Sequence, residues 1–366
     1  MIALDFPQSL RFAVVVLALV LHSASTWAAP PERAILEACG PADEALGRAA
    51  AEVARRRLTG QRITSADELA AVLREAGSTA TWPRSLVFLG QPVDLLQATM
   101  ETRNFVRKLP VRFPVRCGVA VARGGQGVEA IAVVAAPNVA TVVPIPKQVR
   151  PDGWVTLEVK LQVPASDARL VVLGPRGLPR EIPSSFHKGK LQGRFLADRP
   201  GRWLAQAVAD LDHGPMPVAE VEVFRGDAMA PMQEVPGEGA WGADNEATLL
   251  AMLNEARRSE GLPPLVRDEA LTGVARAHAE AMAKQQVVGH DLGQGDPQQR
   301  AEAAGVRFRI LGENVARASS VAQAHRGLWA SPSHRKNTLD SRWQRAGVAV
   351  VERQGSSWVT VLFAAP

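Results

Sequence analysis

The sequence has no tyrosine and only two cysteines, and aromatic residues make up 5% of its 366 positions. No lysine- or arginine-rich block occurs beyond Arg55-Arg56-Arg57. A nucleic-acid partner is argued against, because such proteins rely on a clustered basic face or on stacking rings interleaved with basic residues. The net charge of +5 and the pI of about 9.7 read instead as a dispersed cationic surface. The leading apolar run, Phe12 to Leu21, is too short to span a bilayer comfortably. Histidine is absent from residues 30–137, so any imidazole chemistry lies elsewhere.

What is present begins with an address. Arg11 precedes the apolar run, and His22-Ser23-Ala24-Ser25-Thr26-Trp27-Ala28-Ala29 follows it, with Thr26 and Ala28 forming an acceptable signal-peptidase site. The expectation is a cleaved signal over residues 1–29, a secreted or periplasmic location, and no transmembrane span after cleavage. In an oxidising compartment Cys39 and Cys117 are most simply one disulfide, with two free buried thiols as the alternative. Neither cysteine has metal-ligand spacing.

The length suggests two or three domains, and 46% hydrophobic with 22% charged residues is an ordinary globular composition. The chain reads as multidomain α+β. Residues 31–137 open with helical patterns over 41–58 and from Ser65 to near Gly77, after which prolines break the chain into short pieces. They close on strands around 118–122 and 130–135. Residues 140–226 switch to period two, most clearly at Val155, Leu157, Val159, Leu161 and Val163, which predicts a β-sandwich of immunoglobulin-like type with His187 and His213 in exposed turns. Residues 227–243, rich in proline and glycine, read as a linker.

One internal echo stands out. Residues 116–137 and 345–366 align without gaps over 22 positions with eight identities: Arg116/Arg345, Gly118/Gly347, Val119/Val348, Ala120/Ala349, Val121/Val350, Ala135/Ala364, Ala136/Ala365 and Pro137/Pro366. The N-terminal domain is therefore a candidate degenerate copy of the last one, without its imidazoles.

Residues 244–366 carry the candidate chemistry. The apolar stripe Leu271, Val274, Ala275, His278 and Met282 makes His278 a helix-face residue packed on the core. His325 is expected at the surface of a helix over 320–329. His290 behind Gly289, Glu313 between Gly312 and Asn314 at an expected helix start, and His334 after Ser331-Pro332-Ser333 lie just outside helical patterns, where side chains can line a cleft. Two imidazoles and a carboxylate can hold a divalent metal or share a proton.

These segments, in this order, resemble the CAP superfamily of cysteine-rich secretory, antigen 5 and pathogenesis-related proteins, in its bacterial extracellular branch. The matching stretches are Leu253-Asn254-Glu255-Ala256-Arg257 with Gly261-Leu262-Pro263-Pro264-Leu265, then 275–283, Gly289-His290, Gly312-Glu313-Asn314, Trp329 with Ser331-Pro332-Ser333-His334-Arg335 and Asn337, and Gly347-Val348-Ala349-Val350. The resemblance implies an α-β-α sandwich around a central antiparallel sheet. It also implies a cleft tetrad of two histidines and two glutamates, which His290, Glu313 and His334 match in part. The second glutamate is expected shortly after Trp329, where Ala330-Ser331-Pro332 stand instead. The favoured expectation is an extracellular module binding a lipid, glycan or protein ligand. A second is Zn2+ or another divalent cation on His290 and His334, with Glu313 orienting an imidazole or acting as acid/base in amide or ester hydrolysis. The objection to it is that catalytic zinc normally has three protein ligands. A third is a structural or adhesion role in the envelope.

Overall fold

The computed structural model describes residues 31–110, 112–226 and 235–365. The expected signal segment and most of the first half of the linker lie outside them. Among the described residues no helix is long and apolar enough to cross a membrane.

The N-terminal region runs α1 (Pro31–Cys39), α2 (Glu44–Leu58), α3 (Ala66–Glu75), β1 (Arg84–Gly90), α4 (Leu95–Arg107), β2 (Val115–Arg123) and β3 (Glu129–Pro137). Asp43 and Ser65 cap α2 and α3 by accepting from backbone N–H groups three residues on. Leu46, Ala49, Ala50, Val53 and Ala54 form the α2 stripe that packs on the sheet β1-β3-β2. Cys39 and Cys117 are disulfide-bonded across a sequence separation of 78, which ties α1 to β2. Closing a loop of that length constrains the unfolded chain, and reducing the bond is expected to lower stability by ~2–4 kcal/mol. Thermal unfolding with and without reductant checks this.

The central region is β4 (Ala140–Val142), β5 (Trp154–Leu161), β6 (Asp167–Leu173), β7 (Arg180–Ile182), β8 (Ser184–His187), β9 (Lys190–Leu196), β10 (Gly201–Leu211) and β11 (Gly214–Arg225). Two four-stranded antiparallel sheets, β4-β5-β9-β8 and β11-β10-β6-β7, enclose one core that includes Leu157, Leu170, Leu191 and Trp203. Burial along β5 alternates residue by residue, as its period-two pattern requires.

The C-terminal region is α5 (Asn245–Ser259), β12 (Val266–Arg267), α6 (Glu269–Gln285), α7 (Pro297–Ala303), β13 (Ile310–Ala318), α8 (Val321–Ala330), α9 (Pro332–Thr338), β14 (Arg345–Arg353) and β15 (Ser356–Ala365). Its sheet, β12-β14-β15-β13, is covered on both faces. One face meets Leu249 and Leu253 of α5 with Ala324 of α8, and the other meets Leu271, Ala275 and Met282 of α6. Fully buried Arg257 gathers the loops at one end, donating to the carbonyls of Pro263, Thr338, Asp340 and Trp343.

The two terminal regions share one wiring. Ala42 bridges Cys117 in parallel, as β12 pairs in parallel with β14, so both sheets place a short parallel element beside the closing hairpin. Asp43 bonds Leu46 N at 2.9 Å and Arg116 at 2.9 Å, and Asp268 bonds Leu271 N at 3.0 Å and Arg345 at 2.5 Å. A Cβ on Gly118 would lie 2.0 Å from the Leu46 carbonyl carbon, and one on Gly347 2.2 Å from that of Leu271. Each glycine thus lets a helix backbone sit directly on a strand. The gapless alignment, however, holds along the first strand only. Arg116 faces Ala136 while Arg345 faces Ala364, because the hairpins turn through 124–128 and 354–355 respectively. The matches at 135–137 are therefore displaced by one position.

Candidate functional site

Glu313 sits on β13, not at a helix start. Gly312 precedes it because a side chain there would meet the Asn337 amide at 2.7 Å and the Trp343 ring at 2.9 Å. Asn337 donates to Glu313 O (3.1 Å) and Asn314 Oδ1 (3.0 Å), while Asn314 Nδ2 donates to His334 O and to Thr338 Oγ1, each at 3.0 Å. These amides dock α9, and with it His334, against β13.

Both carboxylate oxygens of buried Glu313 are engaged. His290 Nδ1 donates to Oε1 at 2.8 Å, and Arg300 Nη2 donates to Oε2 at 2.5 Å. Arg300 Nη1 also holds the carbonyls of His290 (2.6 Å) and Gly295 (2.7 Å). The capping box of Asp296 and Gln299 starts α7 so that this guanidinium points inward. Burial alone would push the Glu313 carboxyl up. The His290 hydrogen bond and the charges of His290, His278 and Arg300 outweigh it and hold the carboxyl below its ordinary range.

His334 Nδ1 bonds Ser331 Oγ at 2.9 Å. Burial, and secondarily the charge of His290, pushes its imidazole down to about 3, so it is neutral near pH 7. His278 is wholly buried and its Nε2 donates to Gly289 O at 2.8 Å, the packed helix-face role its stripe position predicts. His325 is a correction. It is 1% exposed rather than at the surface, and its Nε2 donates to Pro236 O at 2.8 Å, because the second half of the linker folds back over α8. His187 is exposed as expected.

His213 is a second correction. It lies in the β10–β11 turn but is half-buried, and its carbonyl accepts from His290 N (2.7 Å) and Asp291 N (3.1 Å). Gly214 beside it has φ +94°, and a Cβ there would come within 2.6 Å of His290 Cβ. The central sheets reach the other histidine too. The Gln206 amide bonds Ser331 Oγ (3.1 Å), Ser333 N (3.0 Å) and Glu220 (3.1 Å), and Glu220 pairs with Arg74 of α3 at 2.9 Å. A chain of hydrogen bonds thus runs from α3 through the central sheet to His334. Gln206→Ala takes one of its partners from Ser331 Oγ and the acceptor from the Ser333 N–H, and is expected to cost ~1–3 kcal/mol, read by urea unfolding.

His290, Glu313 and His334 line one open cavity of about 520 Å³. Its opposite wall comes from the central region, including Arg169, Glu181 and Pro215. With both Nδ1 atoms engaged, the Nε2 of each cleft imidazole has no hydrogen-bond partner among the described residues. Among those residues no group of three or more histidine, cysteine, aspartate or glutamate side chains is placed to hold a metal. The donor set for a cation is thus two imidazole nitrogens at most. Arg300 and Gln206 escaped the sequence reading, which has His213 only as an exposed turn residue. That reading places no helix at α7, and nothing in its seven residues tells that Arg300 turns toward Glu313.

A three-layered α-β-α domain with a histidine–glutamate–histidine cleft is the class these observations define. Residues 250–363 match the cysteine-rich secretory protein family, CAP, and this C-terminal domain belongs to it. Over 115 residues the chain is 31% identical to the Bacillus subtilis (strain 168) protein named "Uncharacterized protein YkwD", covering 31% of this chain and 44% of that one. The chain thus spans less than half the length of this curated relative. Similar solved structures include an outer surface protein from Borrelia burgdorferi (21% identity, 34% of this chain and 93% of that one, TM-score 0.32). Another is an extracellular SCP-domain protein from Bacillus anthracis str. Ames (18%, 58% and 78%, TM-score 0.32). A third is a cysteine-rich secretory protein from Staphylococcus aureus subsp. aureus Mu50 (14%, 62% and 88%, TM-score 0.29).

Proposed function

We propose that this is an extracytoplasmic binding protein whose CAP cleft, completed by the central sandwich, takes a polar ligand of the glycan or peptide class. The observation that carries the reading is the lining of the cavity. Charged groups of both signs face it from two domains, Arg169 and Glu181 on one side and Asp291, Lys336 and Arg342 on the other. Such walls offer paired donors and acceptors to a polar chain. The two Nε2 atoms supply further polar contacts at its floor. Glu313, with both oxygens occupied, serves as an orienting group for His290. The disulfide and the CAP family support a location outside the cytoplasm.

The central sandwich, which we read as immunoglobulin-like, is then a wall of the site as well as a spacer. The N-terminal region reads as a degenerate CAP-like copy in which Ser85 takes the place of Glu313, since Ser85 and Glu313 face equivalent partners, Val134 and Leu362. Calorimetry with soluble cell-wall glycan fragments and with peptides tests the proposal. Binding to the intact protein that falls at least about tenfold in His290→Ala and in Arg169→Ala supports it. Failure of both ligand classes to bind at millimolar concentration rejects it.

A second reading is favoured by the imidazole geometry. A histidine that donates Nδ1–H to a carboxylate and leaves Nε2 free has the arrangement common among zinc-bound histidines. His290 is so arranged with Glu313, and His334 lies across the same cavity. Zinc held there with water completing its shell would supply a Lewis acid for amide or ester hydrolysis. Stoichiometric zinc in the protein dialysed at micromolar metal, lost in His290→Ala/His334→Ala, supports this reading. No retained metal ends it.

A further inference from the structure

Between the N-terminal region and the CAP domain lies a second cavity, of about 460 Å³, outside the histidine cleft. Arg84 of β1, Arg317 of β13 and Lys108 line it, and no aspartate or glutamate does among the described residues. Elsewhere in this protein a sheltered arginine has its counter-charge: Arg74 has Glu220, Arg116 has Asp43, Arg300 has Glu313 and Arg345 has Asp268. Arg257 instead spends its donors on four carbonyls. Arg84 and Arg317 do neither. Arg84 donates once, to Pro83 O at 2.9 Å, and Arg317 once, to Ser356 Oγ at 3.2 Å, with its guanidinium 5.0 Å from the Trp358 ring. Neither has a carboxylate partner among the described residues, and both are half-buried.

The two guanidiniums also disfavour each other. Burial first, and then the charge of Arg317, pushes Arg84 down to about 10. Two like charges sheltered from water without a counter-ion are costly, and an anion between them removes that cost. The remaining N–H groups suit an oxyanion with several acceptor oxygens better than a single carboxylate. Apolar walls at Ile63, Leu69, Phe105 and Leu109 adjoin the cations. The cavity is closed across the domain boundary by Gln323 Nε2, which donates to Thr64 O at 2.8 Å. By strand pairing Arg84 occupies the place of Gly312, so this cavity has grown where the CAP domain keeps its Gly-Glu-Asn segment.

We propose that this interdomain cavity is a binding site for a phosphate-type oxyanion, held by Arg84, Arg317 and Lys108, with room for an apolar body attached to it. The site does not rest on the cleft reading above, although Arg84 and Arg317 also line a smaller cavity that His334 reaches. Calorimetry on the full, disulfide-bonded protein with inorganic phosphate, n-octyl phosphate and 1-octanol tests it. Octyl phosphate is expected to bind, and 1-octanol is not. Tighter binding of octyl phosphate points to a phosphorylated amphiphile, and equal binding of inorganic phosphate to the free anion; both sustain the site.

Arg84→Gln and Arg317→Gln are each expected to weaken binding about tenfold or more, and Arg317→Lys to restore part of it. Removing one of two repelling charges leaves the melting temperature of the phosphate-free protein unchanged or raised, which separates lost binding from lost folding. Arg169→Gln, in the other cavity, leaves octyl phosphate binding unchanged. Absence of phosphate binding at millimolar concentration, or binding indifferent to Arg84 and Arg317, overturns the proposal.

Discussion

Arg300→Met is expected to lower the free energy of unfolding at neutral pH by about 3–5 kcal/mol. The side chains of Arg300 and Glu313 are 7% and 1% exposed, so the substitution leaves a carboxylate out of water with the His290 Nδ1–H as its one remaining side-chain hydrogen bond among the described residues. Two backbone carbonyls, of His290 and Gly295, lose their donor at the same time. The carboxyl can respond by taking up a proton, and then His290 loses the acceptor that fixes its ring. The effect therefore reaches the cleft as well as stability. Guanidinium unfolding of the single variant, of Glu313→Gln and of the double variant measures it. The double variant is expected to lose at least ~1 kcal/mol less than the sum of the singles, because the two groups act as a pair. A loss below about 1 kcal/mol in Arg300→Met would show that the pair is not the support described here.

This ion pair marks where sequence reading stops. Gly289-His290, Gly312-Glu313-Asn314 and Ser331 to Asn337 are short runs whose order along the chain carries the family, and they do meet at one cavity. What binds them there comes from residues without local pattern. Arg300 belongs to α7, a helix of seven residues too short to show a stripe. Gln206 and His213 belong to another domain, and neither alternation nor turn composition says which surface a β-hairpin will touch. Glu313 looked like a helix start because glycine and asparagine flank it. Gly312 in fact makes room for Asn337, and Asn314 is spent on α9.

The same division holds for the fold. The period-two run of β5 and the apolar stripes of α2 and α6 are legible because one face is buried and one is wet. By contrast β1 is partly buried along most of its length, and α4 exposes Leu95, Leu96 and Met100, so neither shows a clean pattern between the prolines. Tertiary placement decided those elements. The 22-residue echo survives as a shared strand, glycine and arginine–aspartate cap, while its second half matches only in composition.

Acidification is expected to destabilise this protein well before its carboxylates titrate, and the buried histidines set the sign. His278 and His325 are 0% and 1% exposed, and burial lowers both from the ordinary value of 6.5. Below about pH 6.5 the unfolded chain protonates at these positions while the folded one does not, so unfolding takes up protons and stability falls with pH. Each such group contributes a slope of at most about 1.4 kcal/mol per pH unit, so the two together approach ~2.7 between 6.5 and their lower folded values. His334 acts with the same sign. Glu313, held below 4.5 in the fold, adds a further loss as pH falls from there through its folded value. Urea unfolding at pH 8, 7, 6 and 5 should show a plateau above about 7 and a steepening fall below about 6. His325→Gln can keep the bond to Pro236 O but cannot titrate, so it should remove about one proton from the linkage. A stability that stays level or rises from pH 7 to pH 5 would mean that these imidazoles open to water or protonate within the folded state, and the packing given for them here would be wrong.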